Sequence, residues 1–181
     1  MGKIAVHEFI SLDGVVEEPR WTADYPFDPK MGEAIGAITS SSQGILLGRR
    51  TYEMFAPAWS GRSAEDDPGA PFFNETRKYV VSATLQSADW NNSEILGAYD
   101  ADTIRALKER LDGDLYVSGS VSLVRAMLAD RLVDELHLFV YPVALGSGLR
   151  LFGESDAPLK LALCATEAYS SGVLHLAYGP A

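Results

Sequence analysis

The sequence predicts an α/β fold, with a mostly parallel central sheet flanked by helices on both faces and antiparallel strands at its C-terminal end. Three observations carry this. Short apolar runs alternate with helix-period segments through the first two thirds of the chain, the pattern of strand–helix–strand crossovers. The last third holds two strand-like runs joined by Ser170-Ser171-Gly172, which is hairpin-turn chemistry. Two apolar runs end in small residues and pass straight into a helix, at Gly48-Arg49-Arg50-Thr51 and at Ser118-Gly119-Ser120.

The chain has 181 residues, which suits one domain over 1–181 with a sizeable core. Apolar residues make up 47% with no low-complexity tract, so an ordered globular protein is expected. No apolar run approaches the ~20 residues of a membrane span. The first six residues lead directly into strand-like sequence, without a secretory h-region. Cys164 is the only cysteine and has no internal disulfide partner, so a cytoplasmic protein is expected. The net charge of -10 argues against a nucleic-acid binder and makes any anion site a local positive spot.

Taken in order, 3–11 reads as a strand buried on both faces, with His7 and Glu8 its only polar interruption. Asp13-Gly14 ends it. The segment 15–29 is long and irregular, with Pro19, Pro26 and Pro29 among Trp21, Tyr25 and Phe27; such segments often form binding loops. A helix follows over 30–42, from the spacing of Met31, Ala34, Ile35 and Ile38, then a short buried strand over 45–47 and a helix over 51–58. The acidic, glycine- and proline-bearing stretch 60–71 reads as loop. A strand over 78–82 and a strand-like patch at 95–96 precede a helix capped by Asp100 or Asp102 and running to about 111. A strand over 114–118 turns into a helix over 121–129. A central strand covers 135–143, a glycine-rich turn leads to a short strand over 149–152, and two last strands cover 159–169 and 173–178.

Each strand–turn–helix unit sets small or donor-rich residues at a helix N-terminus on the carboxyl edge of the sheet. Free backbone N–H groups and a partial positive charge make such an end an anion site, and arginines beside it suit a phosphate. Gly146-Ser147-Gly148 is followed by strand-like residues and lacks a third glycine, so it is not a Rossmann fingerprint. His7, His137 and His175 share no ligand-type spacing with carboxylates or Cys164, so no metal is expected. There is no G-x-S-x-G elbow and no Walker loop.

Ser11-Leu12-Asp13-Gly14, Gly48-Arg49-Arg50-Thr51-Tyr52-Glu53, Val81-Ser82, Val117-Ser118-Gly119-Ser120 and the run from Pro142 to Gly148 with Leu151-Phe152 occur in one order over nearly the whole chain. Together they resemble the dihydrofolate reductase-like family, closest to the branch holding the reductase domain of the bifunctional riboflavin-biosynthesis deaminase-reductase. The resemblance implies NADPH as cofactor. Arg49 or Arg50 would meet the 2′-phosphate, with Ser82 nearby. Gly48 and Thr51 would take one part of the pyrophosphate, and Gly119, Ser120 and Val121 the other. Asp13, Gly14 and Val16 would cover the nicotinamide. The substrate, a pterin- or ribosylaminopyrimidine-like heterocycle, would meet Trp21, Phe27, Met31, Tyr52 and Phe55.

Glu33, in the helix where dihydrofolate reductases keep an acid, and Asp13 are the candidate proton donors. Asp66-Asp67-Pro68 resembles the Asp-Asp-Pro of the riboflavin reductases but sits later in its loop. The double glycine of dihydrofolate reductases is Gly119-Ser120 here, and the zinc-binding deaminase half has no counterpart in these residues. A homodimer is a further family expectation. The competing reading is a nucleotide-binding accessory or sensor protein without turnover.

Overall fold

The structure is a computed structural model and describes residues 2–153 and 158–181. Its strands are β1 (Ile4–Ser11), β2 (Ser42–Gly48), β3 (Arg77–Val81), β4 (Ser93–Gly97), β5 (Asp114–Val117), β6 (Glu135–Tyr141), β7 (Leu161–Ala168) and β8 (Leu174–Pro180). Its helices are α1 (Pro29–Ser40), α2 (Arg49–Trp59), α3 (Ala70–Glu75), α4 (Ala101–Arg110) and α5 (Val121–Ala129). The strands form one sheet in the order β4-β3-β2-β5-β1-β6-β8-β7. Every ladder from β4 to β6 is parallel, while β8 runs antiparallel to both β6 and β7.

Strand alternation sorts the apolar side chains into two cores, one on each face. Ile4, Val6 and Ile10 of β1 join Val117, Leu136 and Leu138, and are covered by Ile104 and Leu107 of α4 and Leu123, Val124 and Met127 of α5. Ala5, Ile45, Leu47, Tyr116 and Phe139 face the other way, under Met31 and Ile38 of α1, Tyr52 of α2 and Phe73 of α3. β1 lies in the middle and is buried at every position but Phe9.

Several boundaries move, each for a local reason. The helix expected over 30–42 is Pro29–Ser40, with Pro29 in its first turn and the Asp28 carboxylate accepting from the Lys30 N–H at 3.0 Å. The strand expected over 45–47 begins at Ser42, because it pairs on both sides. Asp100, rather than Asp102, caps α4 through the Thr103 N–H at 2.8 Å. The strand expected over 135–143 stops at Tyr141, before Pro142, which has no N–H for the ladder. The expected strand over 149–152 is a single bridge between Val15 and Arg150. The loop read over 60–71 gives way to α3 at Ala70, and 15–29 contains a 3₁₀ turn over Pro19–Asp24. Both are six residues long, too short to show a helical period.

Lys78 explains how α3 persists at that length. Its side chain is fully buried, and Nζ donates to the carbonyls of Phe73 (2.6 Å), Thr76 (2.8 Å) and Asn74 (3.3 Å), closing the helix's C-terminal end. The ammonium also lies 4.4 Å from the Trp90 ring centroid. Burial draws its pKa down to about 8. Lys78→Met would keep the volume and orphan these carbonyls. We expect it to cost about 2–4 kcal/mol, read as a lower midpoint in urea unfolding.

Candidate functional site

Neighbouring strands β2 and β5 send their connections in opposite directions. β2 continues through α2 to β3, and β5 through α5 to β6 on the far side of β1. α2 packs on one face and α5 on the other. Such a reversal opens a crevice at the carboxyl ends of the strands, where ligands of open α/β sheets lie.

Two helix N-termini meet in that crevice. The Gly48 N–H donates to the Gly119 carbonyl at 3.2 Å. A Cβ on Gly48 would collide with the Ser120 hydroxyl, and one on Gly119 would lie 2.8 Å from Thr51 Oγ1. Gly119 also has φ of +96°, a conformation that costs glycine least. Side-chain caps are absent from both ends: neither Gly48 nor Ser120 bonds its helix's first-turn N–H groups through a side chain, whereas Asp28 and Asp100 do so at α1 and α4. The first turns of α2 and α5 therefore keep free donors at one place. The buried Thr51 and half-buried Ser120 add hydroxyls, and Ser120 Oγ lies 3.1 Å from Ser122 Oγ.

Arg49 and Arg50 open α2, and both are exposed. Arg49 pairs with Glu53 at 3.2 Å, while Arg50 makes no ion pair among the described residues. Buried Ser82, just after β3, accepts from the Leu85 and Thr84 N–H groups at 2.9 and 3.2 Å, so its hydroxyl oxygen shapes the local turn.

On the β1 side, Asp13 joins two distant segments. Its carboxylate accepts from Ser11 Oγ (2.6 Å) and from the N–H groups of Leu145 (3.0 Å) and Gly146 (2.8 Å). Around it, the Val16 N–H donates to Leu149 O, the Leu151 N–H to Gly14 O, and Arg150 Nε to Asp13 O. Arg125 of α5 secures the far strap by donating to the Leu151 and Arg150 carbonyls at 3.0 and 2.6 Å. The Ser11 hydroxyl first, then the two loop N–H groups, hold the Asp13 pKa near about 2. At neutral pH it is ionised and carries no proton to donate.

The opposite wall is aromatic. Trp21, Tyr25 and Phe9 each set an edge against Tyr141, with centroids 5.4, 5.4 and 5.7 Å apart. The Trp21 indole N–H is buried with no partner. It borders a cavity of about 460 Å³ lined by Val15, Glu17, Glu18, Trp21, Leu145, Ser147 and Gly148. A second cavity, of about 480 Å³, opens among Ser42, Phe72 and Arg77 at the other edge of the sheet, away from the helix N-termini.

The remaining sequence candidates divide. Met31 is in the core, with Sδ 3.8 Å from the Tyr141 hydroxyl. The Tyr52 hydroxyl accepts from the Trp90 N–H at 3.0 Å, and Phe55 meets the Phe73 ring of α3. Both belong to the apolar cluster against which Trp21 also packs. Phe27 is 63% exposed and Glu33 is exposed on α1. Sequence reasoning missed a polar group beneath the site. His7 Nδ1 lies 2.7 Å from the Tyr116 hydroxyl, and burial lowers its pKa to about 3, so it is neutral. His137 and His175 approach to 3.0 Å on neighbouring strands. Glu8, beside His7, is buried too. The signal was there, as the two polar residues in an otherwise apolar strand. No group of three or more metal-type ligands occurs among the described residues.

This arrangement defines an α/β protein of the dihydrofolate reductase-like fold, with a crevice at the carboxyl ends of β2 and β5. A model of the family described as the RibD C-terminal domain matches residues 2–175, and the chain belongs to that family. It is 27% identical over 173 residues to the uncharacterized Bacillus subtilis protein YyaP, covering 93% of this chain and 90% of that one. A Shewanella sp. PV-4 protein provisionally named for riboflavin biosynthesis superposes with a TM-score of 0.81 at 22% identity, over 99% of this chain and 98% of that one. Enterococcus faecalis dihydrofolate reductase, in complex with NADP(H) and RAB-propyl, superposes with a TM-score of 0.65 at 14% identity, over 98% of this chain and 96% of that one.

The Asp13 clamp yields a direct expectation. Asp13→Asn retains the size but loses the charge and one acceptor. Amide hydrogen exchange over 142–150 should then speed up by about tenfold or more, with the strand cores unchanged.

Proposed function

We propose that this chain is an NADPH-dependent oxidoreductase that reduces a pterin- or ribosylaminopyrimidine-like heterocycle, as a 5-amino-6-(5-phosphoribosylamino)uracil reductase or a dihydrofolate reductase does. The observation that carries the reading is the pair of uncapped helix N-termini held together by Gly48 and Gly119 at the sheet's switch point. The residues present fit a dinucleotide. Thr51, Ser120 and the first-turn N–H groups of α2 and α5 would cradle the pyrophosphate. Arg50 is free to meet the 2′-phosphate near Ser82, and Arg49 would first release Glu53. Gly14 and Val16 lie over the β1 side, where the nicotinamide half would run. The cofactor, when bound, supplies the hydride.

The chain's own work is to bind, orient and exclude water. The Asp13 clamp keeps one strap over the end of β1, and the aromatic wall of Phe9, Tyr141 and Trp21 offers an apolar surface of edge-to-face rings with one unpartnered donor, the Trp21 N–H. With Asp13 ionised and Glu33 on the exposed surface, the proton would come from a water ordered at this wall. Neither sequence candidate for the proton donor, Asp13 or Glu33, is poised at the aromatic wall, and this supports the second reading, a nucleotide-binding accessory or sensor protein. Loss of NADPH absorbance with dihydrofolate or a ribosylaminopyrimidine would support the enzyme. Tight NADPH binding without oxidation across such a panel would establish the sensor.

Cofactor choice tests the arginines. A charge-assisted bond to phosphate contributes about 1.5–3 kcal/mol, so Arg50→Ala should weaken NADPH binding by about ten- to a hundredfold and leave NADH nearly unchanged. Arg49→Ala should cost less, since that guanidinium already has a partner. Equal losses for both cofactors would remove these side chains from the 2′-phosphate site.

The reading includes a cytoplasmic homodimer. Seven of the eight β7 residues are exposed on an edge strand, Leu163 (55%) among them, and the terminal hairpin also exposes Leu174 (40%). Light scattering should give a dimer mass that Leu163→Glu reduces to a monomer. A monomeric wild-type chain would dismiss this interface.

A further inference from the structure

Glu8 is the one carboxyl among the described residues that is buried with an oxygen lacking any partner. The residue is 7% exposed, and Oε1 is enclosed without a hydrogen bond. Buried polar groups are nearly always paired, so this one needs an explanation. Its position supplies it. Strand alternation puts the side chain on the α5 face, with Val6 and Ile10. The register with β6 sets it beside Leu138. In the β5 ladder Val6 lies opposite Val117, so Glu8, two residues on, stands level with Gly119. Val16 and Leu151, from the two strapped segments, belong to the same core as α5's Leu123 and Val124, and Arg125 ties that roof to α5. Glu8 thus sits on the floor between the Gly119 turn, the start of α5 and the strap.

Burial alone pushes its carboxyl up to about 8, so at neutral pH it is protonated. A neutral carboxyl presents one O–H donor and one carbonyl acceptor side by side. A phosphate would leave that acceptor unpaired, and a hydrocarbon would leave both. A primary carboxamide satisfies both in one plane. A dinucleotide with its phosphates at the two helix ends has one half directed to β3, where Ser82 lies, and the other to β1, where Glu8 lies.

We propose that Glu8 recognises the carboxamide of the nicotinamide half through a paired acid–amide contact, and so sets the ring's position under the Val16 strap. This rests on the dinucleotide reading above. It makes Glu8 a cofactor-binding residue on the face opposite the aromatic wall.

Three probes separate the two claims by calorimetry: NADP⁺, its 3-acetylpyridine analogue (a methyl in place of the amide NH₂) and 2′-phospho-ADP-ribose, which lacks the ring. Wild type should prefer NADP⁺ over the acetylpyridine analogue by about tenfold, the scale of one buried hydrogen bond with its unpaired partner. Glu8→Leu should reduce that preference to within about twofold, since nothing polar remains to discriminate. Glu8→Gln, which keeps a donor and an acceptor, should retain most of it. Neither variant should change the affinity for 2′-phospho-ADP-ribose. Glu8→Leu also removes an unpaired buried acid, so its thermal midpoint should hold or rise. A loss shared equally by all three probes, or an unchanged preference in Glu8→Leu, would overturn the assignment while leaving the cradle intact. Should wild type bind none of the three, the dinucleotide reading fails, and the role of Glu8 with it.

Discussion

Two helix N-termini that no side chain caps, pressed together at Gly48 and Gly119, set the terms for the rest of the carboxyl edge. A helix start leaves backbone N–H groups without partners, and an Asp, Asn, Ser or Thr cap is the usual remedy, contributing about 1 kcal/mol. This chain uses that remedy at α1 and α4 through Asp28 and Asp100, and omits it at α2, α3 and α5. Two of the omissions meet where two strands diverge, so their free donors add up at one point. Close approach then dictates the sequence: glycine at 48 and 119, and small hydroxyls at 51 and 120, because anything larger separates the turns. On a chain of net charge -10, such a cluster of backbone donors with Arg50 beside it is a positive spot in an acidic field.

The surroundings keep that point rigid by long-range ties. Asp13 reaches loop N–H groups more than 130 residues away in sequence, and Arg125 fastens the same strap to α5. At the start of α1, Asp28 holds both its own helix and the hairpin tip, accepting from Lys30 and from the Ser170 hydroxyl at 2.7 Å. These carboxylates have several donors each, and the pKa of each is lowered mainly by a serine hydroxyl. A carboxylate so occupied is a structural fastener, and it is removed from proton chemistry for the same reason.

What could be read from the sequence follows from range. The turns at 48–51 and 118–120 were legible because a strand end, a glycine and a helix start lie within five residues. The crossovers were legible because their helical periods run for nine residues or more. α3 was not, since its stability comes from Lys78 and Trp90 acting across a loop. The fastening role of Asp13 was not, because its partners are Leu145 and Gly146, and sequence adjacency suggested only a turn and a cover for the cofactor. Tyr52 and Phe55 fell on the expected helix, yet their ring partners, Trp90 for the first and Phe73 of the unforeseen α3 for the second, are distant in the chain. His7 and Glu8 were visible as an interruption, but only strand alternation in a sheet covered on both sides shows that the two neighbours face different compartments.

That last point bears on how hydride transfer would be organised. On β1, His7 and Phe9 face the aromatic wall with Tyr116, Phe139 and Tyr141, while Glu8 and Ile10 face α5. The strand is a partition one residue thick. The ladder to β6 runs from Ala5 to Ser11, but the ladder to β5 stops at Val6 opposite Val117. A cofactor ring held on the Glu8 side and an acceptor held on the Phe9 side would therefore meet on the β5 side of β1 beyond Val6, or past its end, where the Asp13 strap begins. The cavity bordered by Val15, Trp21 and Leu145 opens at that end. In the proposed reading the strap lies beside that opening, so its position would bear on how closely the two rings approach, and a small displacement of reacting atoms is costly in rate. Asp13, which fastens the strap, would then matter to reactivity although its own carboxylate has no proton to give.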